Sequence, residues 1–268
     1  MQKRVKLLTV VCLLFVFILL LSGTVKGVVS EIFYFLAFLL PLCAGLYLAG
    51  ERKISTEEFR INATGARMSL PLLFPTVGLV FLISYLSSAV IFAVFGENSS
   101  VDVGDSIFTA IIMHALLPAV LEELLFRYLP MRLFSRTAPR FTILLSAGCF
   151  ALVHHSFFSM PYAFVAGLIF MALDLAAGSI IPSLIIHFIN NALSVLWIFY
   201  SGNGDFVLGF WIALGILSLL SLLYVFYLRR EYREYFRPVF CSDEPRVATY
   251  APLYLAVPMI TLAIAELL

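Results

Sequence analysis

The sequence predicts an all-α fold, a polytopic transmembrane helix bundle of eight spans, or nine if the last apolar segment also crosses, with a polar cavity inside the bilayer. Three observations predict it. Of the 268 residues, 62% are hydrophobic and only 12% are charged, with a mean hydropathy of +1.05. Apolar runs close to the ~20 residues that cross a bilayer recur along the chain. The polar groups that interrupt these runs are few, and they collect on three of them. The chain reads as a single integral-membrane domain, 1–268, with its polar motifs between about 106 and 200. A net charge of +1 offers nothing to nucleic acid.

The spans fall at about 7–25, 32–50, 71–95, 106–130, 141–157, 160–178, 181–200 and 206–228. The first follows Lys3, Arg4 and Lys6, exceeds a signal-peptide core and lacks an Ala-x-Ala site, so it is expected to remain as a span. It and the second, rich in Phe (Phe15, Phe17, Phe33, Phe35, Phe38), carry no buried charge and read as scaffold. Between Ile54 and Met68, charges alternate with Phe59 and Ile61, which suits a helix along the inner membrane surface or a solvated loop. The third span breaks at Gly96.

The fourth holds His114, Pro118 and the run Leu121-Glu122-Glu123-Leu124-Leu125-Phe126-Arg127. Pro118 lacks a backbone donor and is expected to kink the helix before the acids. His114 reads as a packed histidine. The fifth ends with Phe150 and His154 on one face, and His155 reads as interfacial. The sixth is plain except for Asp174, read as a solvated loop-edge acid. The seventh opens at Gly178-Ser179 with Pro182 in its first turn, and puts His187 and Asn191 on one face. The eighth is scaffold, followed by a basic segment, 229–237, placed to meet anionic headgroups. The apolar stretch 251–268 contains Pro258 and reads as a half-span or interfacial helix as readily as a crossing.

Charge sets the orientation. With the N-terminus in the cytoplasm and eight alternating spans, all 17 basic residues except Lys26 and Arg127 lie on the inner side. Glu97, Asp102, Asp105 and Asp205 lie opposite. The positive-inside rule therefore selects this topology over its inverse, and the plasma membrane is the expected location. Cys12, Cys43, Cys149 and Cys241 form no Cys-x-x-Cys pair and read as small apolar packing residues.

Glu122, Glu123 and Arg127 need a reason to sit in hydrocarbon, since each opposes insertion by roughly 2.5–3.5 kcal/mol at a helix centre. Glu123 and Arg127, four apart, form an acid-to-base pair on one face. Glu122 points about 100° away. It is the acid left for chemistry, in surroundings dried by Leu121, Leu124, Leu125 and Phe126. A charge cluster that merely locks helices together is the structural alternative.

The ordered set Glu122-Glu123-x-x-x-Arg127, Phe150-x-x-x-His154 and His187-x-x-x-Asn191 resembles the motifs of the CPBP family of CAAX-processing and bacteriocin-processing intramembrane proteases, over about residues 106–200. The resemblance implies that Glu122, assisted by His154, deprotonates a water that attacks a peptide carbonyl. It implies that His187 and Asn191 donate to the oxyanion, that Glu123 and Arg127 fix Glu122, and that Phe150 walls the cavity. It implies a peptide or lipidated protein substrate reached among membrane lipids, and no cofactor.

The same Glu122, His154 and His187 could instead bind zinc, leaving a position for water. Asn191, a poor zinc ligand, favours the metal-free mechanism. A non-catalytic scaffold or immunity protein of the same fold is a further alternative. A proton-coupled transporter is another, but it would call for inverted repeats and broken helices, which are not seen. One geometric demand remains. Counted by helical rise, His154 lies near the outer end of its span while Glu122 and His187 lie further in. A shared site requires the turn at Gly178 to be recessed or the fifth span to start well inside the membrane.

Overall fold

A computed structural model describes residues 2–25, 28–48, 50, 55–96, 104, 106–134, 138–154 and 159–241. The ninth apolar segment, His155 and the acidic stretch around Asp102 lie outside the described residues. Those described form helices and no strand: α1 (Gln2–Thr24), α2 (Val28–Leu48), α3 (Ala63–Ser69), α4 (Leu73–Phe95), α5 (Ile107–Phe134), α6 (Pro139–Leu152), α7 (Met160–Ala177), α8 (Ile181–Tyr200), α9 (Gly204–Tyr227) and α10 (Arg229–Phe240).

Helix ends follow local chemistry. Asn62 caps α3 by accepting from the Gly65 amide at 2.7 Å, and Asn203 caps α9 through the amides of Asp205 and Phe206. Proline occupies the first turn of α6, α7 and α8, where its missing donor costs nothing. Gly96 and Gly178 close α4 and α7 at φ 69° and 66°, a left-handed conformation that favours glycine.

Five described segments are long and apolar enough to cross a membrane: Ala63–Val94, Ile107–Phe134, Met160–Ala177, Ile181–Tyr200 and Gly204–Tyr227. Shorter apolar stretches run over Leu13–Ser22, Ile32–Tyr47 and Pro139–Leu152. In α9 only Leu214 is buried, while Leu208, Ile212, Leu219 and Leu220 are all more than half exposed. Such a surface is untenable in water and natural against lipid tails. The chain is an integral membrane protein.

Helices α5 and α8 pack together, with α4 against α7, α8 and α9. The α1–α2 pair joins them through α2 and a ring cluster in which Phe15, Phe38 and Phe126 meet edge to face. Helices α6 and α7 approach most closely at Gly167, where a Cβ would stand 2.7 Å from the Ala147 backbone. One end of the bundle is tied by polar contacts. Arg132 pairs with Glu58 at 2.9 Å, the Ser55 amide donates to the Tyr128 hydroxyl, and the Tyr232 hydroxyl donates to the Met68 carbonyl. Arg67 pairs with Glu231.

From Ser55 on, the segment expected as a surface helix or loop is a 3-10 turn (Glu57–Phe59) followed by α3, whose Gly65 and Met68 are buried against the bundle. Cys43, on α2, and Cys241, just past the end of α10, are exposed instead of packed.

Candidate active site

Helix α5 is interrupted by two wide π-turn segments, Ile111–Leu116 before Pro118 and Leu124–Tyr128 after Glu123. Pro118 cannot donate to the carbonyl four residues back, and the wider turn ahead of it accommodates that loss. Between the two lies a regular α segment, Leu117–Glu123, that ends on the two acids.

The acids divide as the spacing predicts. Glu123 and Arg127 are fully buried, with Arg127 Nε 3.3 Å from Glu123 Oε2. The guanidinium carbon also lies 4.1 Å from the Phe150 ring centre and 5.4 Å from that of Phe170, so the cation is neutralised by one carboxylate and two ring faces. The other oxygen of Glu123 accepts from His187 Nδ1 at 2.8 Å. The Glu123–Arg127 pair therefore orients His187 directly, whereas the sequence had it fixing Glu122. Glu122 stands apart, its Oε2 buried, without a hydrogen-bond donor and 3.7 Å from His187 Nε2.

His154 donates from Nδ1 to the Phe150 carbonyl at 2.8 Å, since a carbonyl can only accept. In the neutral ring the lone pair then sits on Nε2, the form a base needs. Phe150 is 2% exposed and packs behind the cavity instead of walling it. It touches Arg127 on one side and the rings of His154 and His187 at 4.8 and 5.5 Å on the other.

Glu122, His154, His187 and Asn191, drawn from α5, the end of α6 and α8, line one cavity of about 300 Å³. The geometric demand raised by the sequence is met in two ways. Helix α6 has 14 residues, about 21 Å of rise, so its end lies at the depth of Glu122 instead of the far surface. The turn after Gly178 is recessed: Ser179 and Ile180 are buried, and the Ile180 amide donates to the Glu58 carbonyl at 2.8 Å.

Several residues escape the sequence reading. Asp174 is fully buried, not a solvated edge; it accepts from the Ser183 hydroxyl at 2.6 Å and the Ser183 amide at 3.1 Å. It thereby caps α8 from a neighbouring helix, because Ile180, at the capping position, has no side-chain acceptor. That missing cap was the available signal. His114 is exposed and lines the cavity instead of packing, since Pro118 and Glu122 follow it at four-residue steps on the same face. Tyr162 and Asn190 also line it, and nothing in their spacing marked them. Among the described residues, no group of three or more His, Cys, Asp or Glu side chains is placed to hold a metal ion.

Residues 104–193 match the family model described as type II CAAX prenyl endopeptidase Rce1-like. No curated protein and no solved structure matches the chain. The matched stretch holds all three motifs and every charged or imidazole group that meets at the cavity. Over residues 104–193 the chain is thus similar to the Rce1-like type II CAAX prenyl endopeptidases, a family of proteases.

Proposed function

We propose that this protein is an intramembrane endopeptidase that cleaves a prenylated or otherwise membrane-associated peptide with a glutamate-activated water and no metal. The observation that carries the reading is the convergence of Glu122, His154, His187 and Asn191 on one cavity. Glu122, with His154 beside the same space, takes a proton from water as its oxygen bonds to the carbonyl carbon. The carbonyl oxygen becomes an oxyanion, which the Asn191 amide and a proton on His187 Nε2 stabilise. Because Nδ1 already donates to Glu123, that role requires His187 to hold both ring protons, with Glu123 as its counter-ion. The C–N bond then breaks, and the proton held by Glu122 passes to the leaving amine.

The reading places the N-terminus and the basic end of the bundle in the cytoplasm, with eight crossings of the plasma membrane. Basic residues at the α5 end (Arg132), in α3 (Arg67) and in α10 support it, being tied together at one end. The test is cleavage of a prenylated peptide by protein reconstituted in lipid vesicles. Glu122→Gln is expected to lower the rate about 10²–10⁴-fold, the range of general-base catalysis, while still binding the peptide. Activity should persist in chelator. Equal cleavage by Glu122→Gln, or chelator-sensitive activity restored by zinc, overturns the mechanism.

A further inference from the structure

The cavity is much larger than the one water the reaction consumes, whose share of liquid volume is about 30 Å³, and its shape says how a substrate lies in it. Beyond Glu122 it continues along two helices. On α5, His114, Pro118 and Glu122 follow at four-residue steps and all line it. On α8, Asn190, Asn191, Ser194 and Ile198 line it as well. The stretch these rows line runs eight residues from Glu122 to His114, about 12 Å at the α-helical rise. That is the length of three to four residues of extended peptide at about 3.3–3.6 Å each.

Two polar groups in this stretch are unexplained by the reaction. Asn190 donates from Nδ2 to Asn191 Oδ1 at 3.4 Å, but its own Oδ1 is buried and receives no hydrogen bond. An acceptor left so costs stability wherever water is scarce, unless a ligand supplies the donor. A peptide N–H beside the scissile bond is such a donor. Ser194 is not a second, because its hydroxyl is turned back to the Asn190 carbonyl at 2.9 Å. His114, which is exposed and also lines the cavity, sits on the π segment Ile111–Leu116, and wide turns of this kind recur at functional sites.

We propose that Asn190 and His114 form a backbone clamp that binds three to four residues of extended substrate on one side of the scissile bond, with Asn190 Oδ1 accepting a peptide N–H near the bond and a ring nitrogen of His114 hydrogen-bonding the chain at the far end. The clamp rests on the endopeptidase reading for what passes Glu122, and it sets the length of peptide the site prefers.

The test measures binding of prenyl-cysteine peptides, lengthened one residue at a time on either side, to the Glu122→Gln protein in lipid nanodiscs. Affinity is expected to climb with length on one side and to level after the third or fourth residue. His114→Ala and Asn190→Ala, each added to Glu122→Gln, are expected to weaken the long peptides about 3–10-fold, one hydrogen bond's worth. His114→Ala should leave the shortest peptides unchanged, whereas Asn190→Ala, whose contact lies beside the bond, should weaken them as well; retained binding of the shortest peptides by His114→Ala also shows that this variant is folded. Affinity independent of length, no binding at any length, or losses equal at every length in both variants overturns the clamp. Cleavage by the parent protein is scored separately: length-dependent binding without cleavage refutes the endopeptidase reading and leaves the clamp standing.

Discussion

Arg127→Ala strands the Glu123 carboxylate in the middle of the bundle. Both side chains are fully buried, and among the described residues the cation set against Glu123, besides the imidazole of His187, is this guanidinium at 3.3 Å. Breaking a buried pair by removing one partner costs about 3–5 kcal/mol, because the surviving charge stays desolvated. The alanine also gives up the contact with Phe150 at 4.1 Å, worth on the order of 2 kcal/mol when water is excluded. A loss of at least about 4 kcal/mol is therefore expected, close to a thousandfold in the folding equilibrium. The assay is reversible unfolding in mixed micelles, read by Trp fluorescence. Arg132→Ala is the comparison, since its pair with Glu58 is partly exposed and worth about 1 kcal/mol or less. The double variant Arg127→Met with Glu123→Gln removes both charges and is expected to recover much of the loss. If Arg127→Ala costs no more than Arg132→Ala, or the double variant is worse than the sum of the two singles, the buried-pair argument is wrong.

Gly167→Ala would push a methyl to 2.7 Å from the Ala147 backbone, so α6 and α7 must separate; a cost of about 1–3 kcal/mol is expected, with reduced cleavage because His154 and Tyr162 ride on those helices. Thermal melting and peptide cleavage on the same preparation check it. Ser183→Ala leaves Asp174 Oδ2 without its 2.6 Å donor and should cost about 1–3 kcal/mol, with Ser183→Thr milder, as unfolding midpoints would show. The hydrogen bonds and charge of Arg132, with Ser55, outweigh the burial of Glu58 and hold its carboxyl below the ordinary glutamate value. A depressed value means that this contribution is present in full above the ordinary glutamate value. It is lost as pH falls through the folded-state value. Stability of the parent and of Glu58→Gln measured against pH should converge on acidification, and curves that stay parallel refute it.

Much of the site was legible because the bilayer makes polar residues conspicuous. Glu122, Glu123, Arg127, His154, His187 and Asn191 stand out from apolar runs, and four-residue spacing alone paired Glu123 with Arg127 at what proves to be 3.3 Å. Asp174 was misread because an acid near a helix end normally faces water; its burial depends on Ser183, which reaches it only after Gly178 reverses the chain. His114 was misread because a lone histidine carries no sign of which neighbour it meets.

The sequence by itself determined that the chain lives in lipid as a helix bundle and which polar groups its helices carry, because composition and a 3.6-residue period are local properties. The tertiary structure alone decided that Glu123 holds His187 and leaves Glu122 open, and that Phe150 lies behind the cavity under Arg127. It also decided that a short α6 and a recessed Gly178 turn bring three helices to one depth. Those outcomes depend on the axial offsets between helices, which are fixed by packing such as Gly167 on Ala147 and the Ile180 amide on Glu58, contacts that no single helix encodes.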